Sequence, residues 1–177
     1  MNAILLTDHP SVLIHINKHH DGPRHHTAMY KHILLPTDGS RLAGKGAAEG
    51  VRLAKALGAK VTGIYVAAPF YTPPTYLEGG VYVPGVSPKM YRKHSEALAK
   101  KALAPVEAAA RKARVRCASR MLTAARPSDG ILKAARALGC DAIAMSSRCR
   151  RGLGAVLLGS ETRRVLLSSK VPVVVFR

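Results

Sequence analysis

From residue 32 onward, short apolar runs alternate with longer segments whose apolar positions recur every three to four residues. The run His32-Ile33-Leu34-Leu35-Pro36 is closed by Thr37-Asp38-Gly39-Ser40. Continuous apolarity between turn residues predicts a strand buried on both faces. Ser40 is a candidate N-cap for a helix in which Ala47, Val51 and Ala54 share one face, and Gly58 stops it after Leu57. Residues 60–66 are rich in β-branched side chains and predict a second strand. Residues 67–88 break the pattern with Pro69, Pro73, Pro74, Pro84 and Pro88, and predict a long loop. A helix over about 89–112, a strand over 115–122 and a helix over 127–138 follow. A strand over 141–145, a loop rich in Gly and Arg, a short helix from 160 to about 168 and a strand over 171–176 complete the chain.

This alternation predicts an α/β fold: a five-stranded parallel, doubly wound sheet with right-handed crossovers and helices on both faces. Ligands of such sheets sit at the carboxyl ends of the strands, where strand order reverses. The first strand leads into Asp38 and the fourth into Ser146. If these strands are neighbours, Pro36, Thr37 and Asp38 face Met145, Ser146 and the 146–160 loop across one crevice.

Composition bounds the answer further. The 177 residues, 47% apolar, suit one globular domain, and no apolar run approaches the ~18 residues of a membrane span. The net charge of +18 points to polyanions or phosphate ligands. Residues 1–28 stand apart: their bases and acids balance, and they hold His9, His15, His19, His20, His25 and His26. Asp21-Gly22-Pro23 between the histidine pairs reads as turn or disorder chemistry rather than a metal site. Met29 reads as a second start, with 1–28 as a disordered leader or a mis-assigned beginning and 29–177 as the domain. Cys117, Cys140 and Cys149 are odd in number and widely spaced, which fits a reduced, cytoplasmic setting.

The 146–160 loop has the features of an anion site. Gly159-Ser160 opens a helix whose N–H groups and dipole favour phosphate. Arg148, Arg150 and Arg151 add charge and bidentate donors. A well-capped helix after an exposed basic loop has the same composition. Asp38 could accept a ribose hydroxyl, or could form a turn with Gly39 and Ser40.

Residues 29–177 resemble the universal stress protein family. The resemblance is carried by Ile33-Leu34-Leu35-Pro36-Thr37-Asp38-Gly39-Ser40, the 61–66 strand, Arg150-Arg151-Gly152-Leu153, Leu157-Leu158-Gly159-Ser160 and Val171-Pro172-Val173-Val174-Val175. It implies strand order 3-2-1-4-5, a homodimer through the C-terminal strand and a role in stress adaptation. The family's nucleotide-binding branch holds ATP, with Mg²⁺, through G-x-x-G-x9-G-[S/T]. Ser146 and Cys149 stand at the first two glycines, while Gly159-Ser160 matches at the right spacing. By this resemblance Asp38 contacts ribose or base, Val66 lines the adenine pocket, and Gly159, Ser160 and Thr162 contact phosphates. Ser or Cys is strained if either replaced glycine needs positive φ. Cys149, among arginines, also reads as a redox-sensitive thiol or as a small tolerated residue.

Three functions stay open at this point: a stress-response module binding adenine nucleotide, a family member acting as a dimeric interaction protein without nucleotide, and a basic polyanion binder. The last has dense cations over 89–120 and 148–177 but no nucleic-acid-binding motif, so a solvated basic surface is favoured over it. No metalloprotease, nucleophile-elbow or Walker A pattern occurs, and His32 and His94 lack a nucleophile partner. The expectation is therefore a binding protein, with no catalytic residue or protein metal site.

Overall fold

The structure is a computed structural model that describes residues 30–70, 87–147 and 158–176, together with the backbone of two strands nearer the N-terminus. Those two are β1 (Ala3–Leu6) and β2 (Val12–Ile16). The domain continues β3 (His32–Pro36), α1 (Arg41–Ala56), β4 (Lys60–Ala67), α2 (Pro88–Ala113) and β5 (Cys117–Thr123). It closes with α3 (Pro127–Ala137), β6 (Ala142–Ser146), α4 (Ser160–Ser168) and β7 (Val173–Phe176).

The five parallel strands lie in the order β5-β4-β3-β6-β7, which is the expected 3-2-1-4-5. The sheet is larger than expected, with seven strands. Residues 3–6 and 12–16, read from sequence as part of a disordered leader, form an antiparallel pair. β2 runs antiparallel to β7, with Val12 opposite Phe176 and His15 opposite Val173. The outer edge of β7, which the family resemblance assigns to a dimer, is thus paired within the chain. The apolar, partly β-branched run Val12-Leu13-Ile14-His15-Ile16 suits a strand. The nearby histidines and Asp-Gly-Pro masked that signal.

Strand side chains divide into two cores, one on each face. Ile33, Leu35, Val61 and Val174 pack with α1 and α2 around Val51 and Val106. Leu34, Ile64, Ile143, Val173 and Val175 pack with α3 and α4 around Ile131 and Val165. Alternate residues of one strand therefore feed opposite layers, as burial on both faces requires. α1 approaches closely because it carries small residues. A Cβ at Gly46 would lie 2.6 Å from Ser146 Cβ and 3.0 Å from its backbone nitrogen, and one at Gly50 would lie 2.5 Å from Leu35 Cδ2.

At the amino ends of the strands, Asp141 ties β6 to β3. Its carboxylate accepts the N–H of Lys31 at 2.8 Å and of His32 at 3.1 Å. The His32 ring is buried, with Nε2 2.8 Å from Thr62 Oγ1. Burial first, then the Lys60 ammonium, holds its pKa below 6.5, against the opposing pull of Asp141 and the Leu138 carbonyl. Burial, reinforced by Asp141, pushes the Cys140 thiol up to about 11, so it stays protonated and unreactive.

Three outcomes follow from this packing. Gly46→Ala is expected to cost about 1–3 kcal/mol by overpacking against β6 backbone. Gly44→Ala, with nothing within 4 Å, is expected to gain about 0.5–1 kcal/mol. Urea unfolding separates them, and equal stability of both variants would mean that α1 can slide freely. His32 is neutral in the folded chain and binds a proton more readily once unfolded. Its contribution is therefore complete above pH 6.5 and declines as pH falls below that value. Melting temperatures from pH 8 to pH 5 should fall more steeply for the native chain than for His32→Asn; parallel curves would refute a role for His32. A chain beginning at Met29 lacks β1 and β2 and uncovers the β7 edge. Light scattering at micromolar concentration should show it heavier than the full chain, by one subunit or more; identical masses would show that this edge does not drive association.

Candidate functional site

The turn after β3 shapes one wall of a cleft. Thr37 donates its N–H to the Ile64 carbonyl at 2.9 Å, extending the strand pairing toward β4. Its Oγ1 accepts the Gly39 N–H at 3.1 Å, and Asp38 Oδ1 accepts the Ser40 N–H at 2.9 Å. Gly39 has φ +78°, and a Cβ there would lie 3.0 Å from Ala102 Cβ, so conformation and α2 both require glycine. Ser40 caps α1 by accepting the Ala43 N–H at 3.2 Å. Asp38 is thus held in a side-chain turn and also lines the cleft. The two sequence interpretations of this residue hold together.

The second wall comes from β4 and α3. A Cβ at Gly130 would approach Val66 Cγ1 to 2.6 Å, so the glycine lets α3 lie against the strand and brings Pro127 and Ile131 to the cleft. The α3 N-terminus carries an internal anion. Glu161 Oε2 accepts the Ser128 N–H at 2.8 Å, and Oε1 pairs with Arg164. Partial burial raises the Glu161 pKa, but the hydrogen bonds from Ser128 and the Arg164 charge outweigh it and hold the carboxyl below its usual range. Glu161 therefore fastens the start of α4 to the start of α3.

The third wall is the end of β6 with the start of α4. Ser147 donates its N–H to the Phe176 carbonyl at 3.0 Å, and its buried Oγ accepts the Gly159 N–H at 3.2 Å. Gly159 is the N-cap of α4, with φ −57° and no side-chain cap. Among the described residues a Cβ there would meet only Thr162 Oγ1, at 3.9 Å. Neither conformation nor packing against those residues demands glycine at 159, and its absent side chain leaves the described part of the helix N-terminus open to approach. Among the described glycines only Gly44 is comparably unconstrained.

Together these walls enclose about 420 Å³ at the carboxyl ends of β3, β4 and β6. The structure brings Pro36, Thr37, Asp38, Val66, Met145, Ser146, Gly159, Ser160 and Thr162 to this one cleft. Arg148 and Cys149 lie outside the described residues. Ser146 ends β6 opposite Phe176, and Arg114 is the one described non-glycine residue with positive φ. The serine at the first glycine position therefore carries no backbone strain. Sequence reasoning missed Ile64, Tyr65, Pro127, Ile131 and Glu161. Topology was the available signal for Pro127 and Ile131, because a helix that follows a parallel strand starts at the carboxyl edge. The Glu161 contact to α3 spans 33 positions and left no local trace.

The lining has an apolar side, formed by Ile64, Val66, Ile131 and Met145, and a polar side at Asp38 and the α4 N-terminus. Such a cleft can hold a flat apolar ring at one end and an anion at the other. Among the described residues no group of three His, Cys, Asp or Glu could hold a metal, and no helix is long and apolar enough to cross a membrane.

Comparison with known proteins agrees with this architecture. A universal stress protein of Methanocaldococcus jannaschii is 32% identical over 151 residues, covering 84% of this chain and 83% of its own. The structure of the universal stress protein from Archaeoglobus fulgidus in complex with dAMP superposes with TM-score 0.60 at 20% identity, over 84% of this chain and 99% of that one. A universal stress protein in complex with cAMP superposes with TM-score 0.57 at 19% identity, over 84% and 97%. The model of the Universal stress protein family matches residues 29–177, and the chain belongs to that family.

Proposed function

We propose that this chain is a cytoplasmic stress-response module that binds an adenine nucleotide in the cleft between Asp38 and the α4 N-terminus. The observation that carries this reading is Gly159: a glycine without an internal reason, opening a helix N-terminus onto a cleft with an apolar far wall. The dAMP and cAMP complexes of structural neighbours support the ligand class. In this reading the base lies among Val66, Ile64, Met145 and Ile131. Asp38 accepts from a ribose hydroxyl. Gly159, Ser160 and Thr162 receive phosphate oxygens, favoured by the helix dipole. Where the ligand is ATP, Mg²⁺ enters with the triphosphate and neutralises part of its charge.

The reading is one of binding rather than turnover. Asp38 Oδ1 holds the Ser40 N–H, and both Glu161 oxygens are engaged by Ser128 and Arg164. The two carboxylates of the cleft serve a turn and a helix junction. A homodimer through β7 would first require β2 to leave that edge.

Thermal shift with AMP and with ATP–Mg²⁺ tests the proposal. A ligand at 100-fold its Kd adds about 2.7 kcal/mol of stability. Asp38→Asn keeps the acceptor for the Ser40 N–H but removes the charge, and is expected to weaken binding roughly fivefold to tenfold. No shift at millimolar nucleotide, or equal shifts in the native chain and Asp38→Asn, would sink the assignment and favour the interaction protein without nucleotide.

A further inference from the structure

Three helices return to the sheet through the same turn. After α1 the Ala59 N–H donates to the Ala54 carbonyl at 2.8 Å, and after α3 the Cys140 N–H donates to Ala135 at 2.9 Å. After α2 the Val115 N–H donates to Ala110 at 2.9 Å. Each turn needs one left-handed residue. Gly58 supplies it with φ +66° and Gly139 with φ +61°. After α2 the residue is Arg114, with φ +58°. An L-residue there is strained by about 1–2 kcal/mol. The chain keeps an arginine where its two sister turns keep glycine.

Arg114 is not alone. Arg111 and Lys112 precede it, Arg116 follows, and all are exposed; Arg120, opposite Ile64, lies on the other face of the sheet with α3 and α4. Residues 111–120 contain no acid. Among the described residues none of these cations is in a salt bridge; on α2 the pair is Arg92 with Glu96. The helix dipole accounts for Arg111 and Lys112, in the last turn of α2. It does not account for Arg114 and Arg116, which lie beyond the helix. Exposed Lys89, Lys93, Lys100 and Lys101 continue the charge along α2, against Glu96 and Glu107. From Lys89 to Arg111 the row extends over roughly 33 Å. The exposed large apolar side chains, Met90, Leu98, Leu138 and Leu167, all lie outside 111–120.

We propose that the α2–β5 flank, centred on Arg114, docks on the phosphate backbone of a double-stranded nucleic acid. The row is extended, as a polyanion is, and unlike the compact cleft. Guanidinium groups match phosphate oxygens in pairs. Residues 111–120 present no large exposed apolar side chain to enter a bilayer. Contacts of this kind hold the backbone without reading sequence.

The experiment measures affinity of the full chain for a 20-base-pair DNA duplex across salt concentration. Log affinity should fall with log salt by about 0.9 per phosphate neutralised, giving a slope near −4 for the cluster. The double variant Arg114→Gly with Arg116→Gln should lose about two units of that slope. A matched pair on the opposite face of the sheet, Lys133→Gln with Arg136→Gln, should change it far less. Arg114→Gly alone should raise the melting temperature while weakening duplex binding, a combination that a purely structural arginine would not give. Equal losses in the two double variants would assign binding to net charge and overturn the site. Failure to bind duplex at 50 mM salt, or tighter binding to phosphatidylglycerol vesicles, would overturn it as well. None of these readouts depends on nucleotide in the cleft.

Discussion

The distance between helices and sheet is the constraint on which the rest of this molecule depends. A parallel sheet covered on both faces leaves no room for error in that spacing. Here it is set by missing side chains. Gly46 and Gly50 let α1 lie on β6 and β3, and Gly130 lets α3 lie on β4. The cleft is where these close contacts end. Its floor is Ser146, against which Gly46 sits, and Val66, against which Gly130 sits. The glycines that fix the layers therefore also fix the depth and apolar lining of the cleft.

Much of this was legible from local pattern. The strand containing Ile33 and Leu35, the Ser40 cap, and the Gly58 and Gly139 stops follow from residue types that act within a few positions. The cleft position was legible because strand order in a parallel sheet is tied to where chains reverse. Long-range choices were not. Glu161 bonding to Ser128, and Ser147 accepting from Gly159, join residues by geometry that no local pattern encodes. The strands at 3–6 and 12–16 were hidden for a different reason. The strand at 12–16 pairs with the last strand of the chain and the one at 3–6 joins through it, and the polar residues between and after them dominate a composition-based reading.

The replaced glycines also take on a different meaning. Glycine matters at a ligand loop either for positive φ or for room. At 146 the backbone is an ordinary strand end, so conformation is not at issue. Room is the remaining question, and the serine Cβ is spent on the side facing Gly46. The substitution and the glycine opposite it form one packing unit. Gly159 is the reverse case, because packing leaves it free and its empty position opens toward the cleft. The two sites differ in geometry: the replaced position carries no backbone strain, and the retained glycine adds no side chain over the helix N-terminus.

Charge is distributed against the simplest expectation. In a chain of net charge +18, a cleft proposed to take phosphate would be expected to gather cations, yet no Lys, Arg or His is among the described residues that line it. Asp38 and Glu161 are there instead. Within the described residues, the groups there that favour an anion are backbone N–H groups and the α4 dipole, which are fixed in direction and fall off within a turn. The densest described cluster of arginines sits at the amino ends of the strands, on a turn strained to hold one of them. A short-range, oriented site suits one small ligand of defined shape. A broad, exposed field acts over about a Debye length and suits a long polyanion. The Arg114 turn and the cleft stand at opposite ends of the strands, and α2, from Lys89 to Arg111, spans the distance between them.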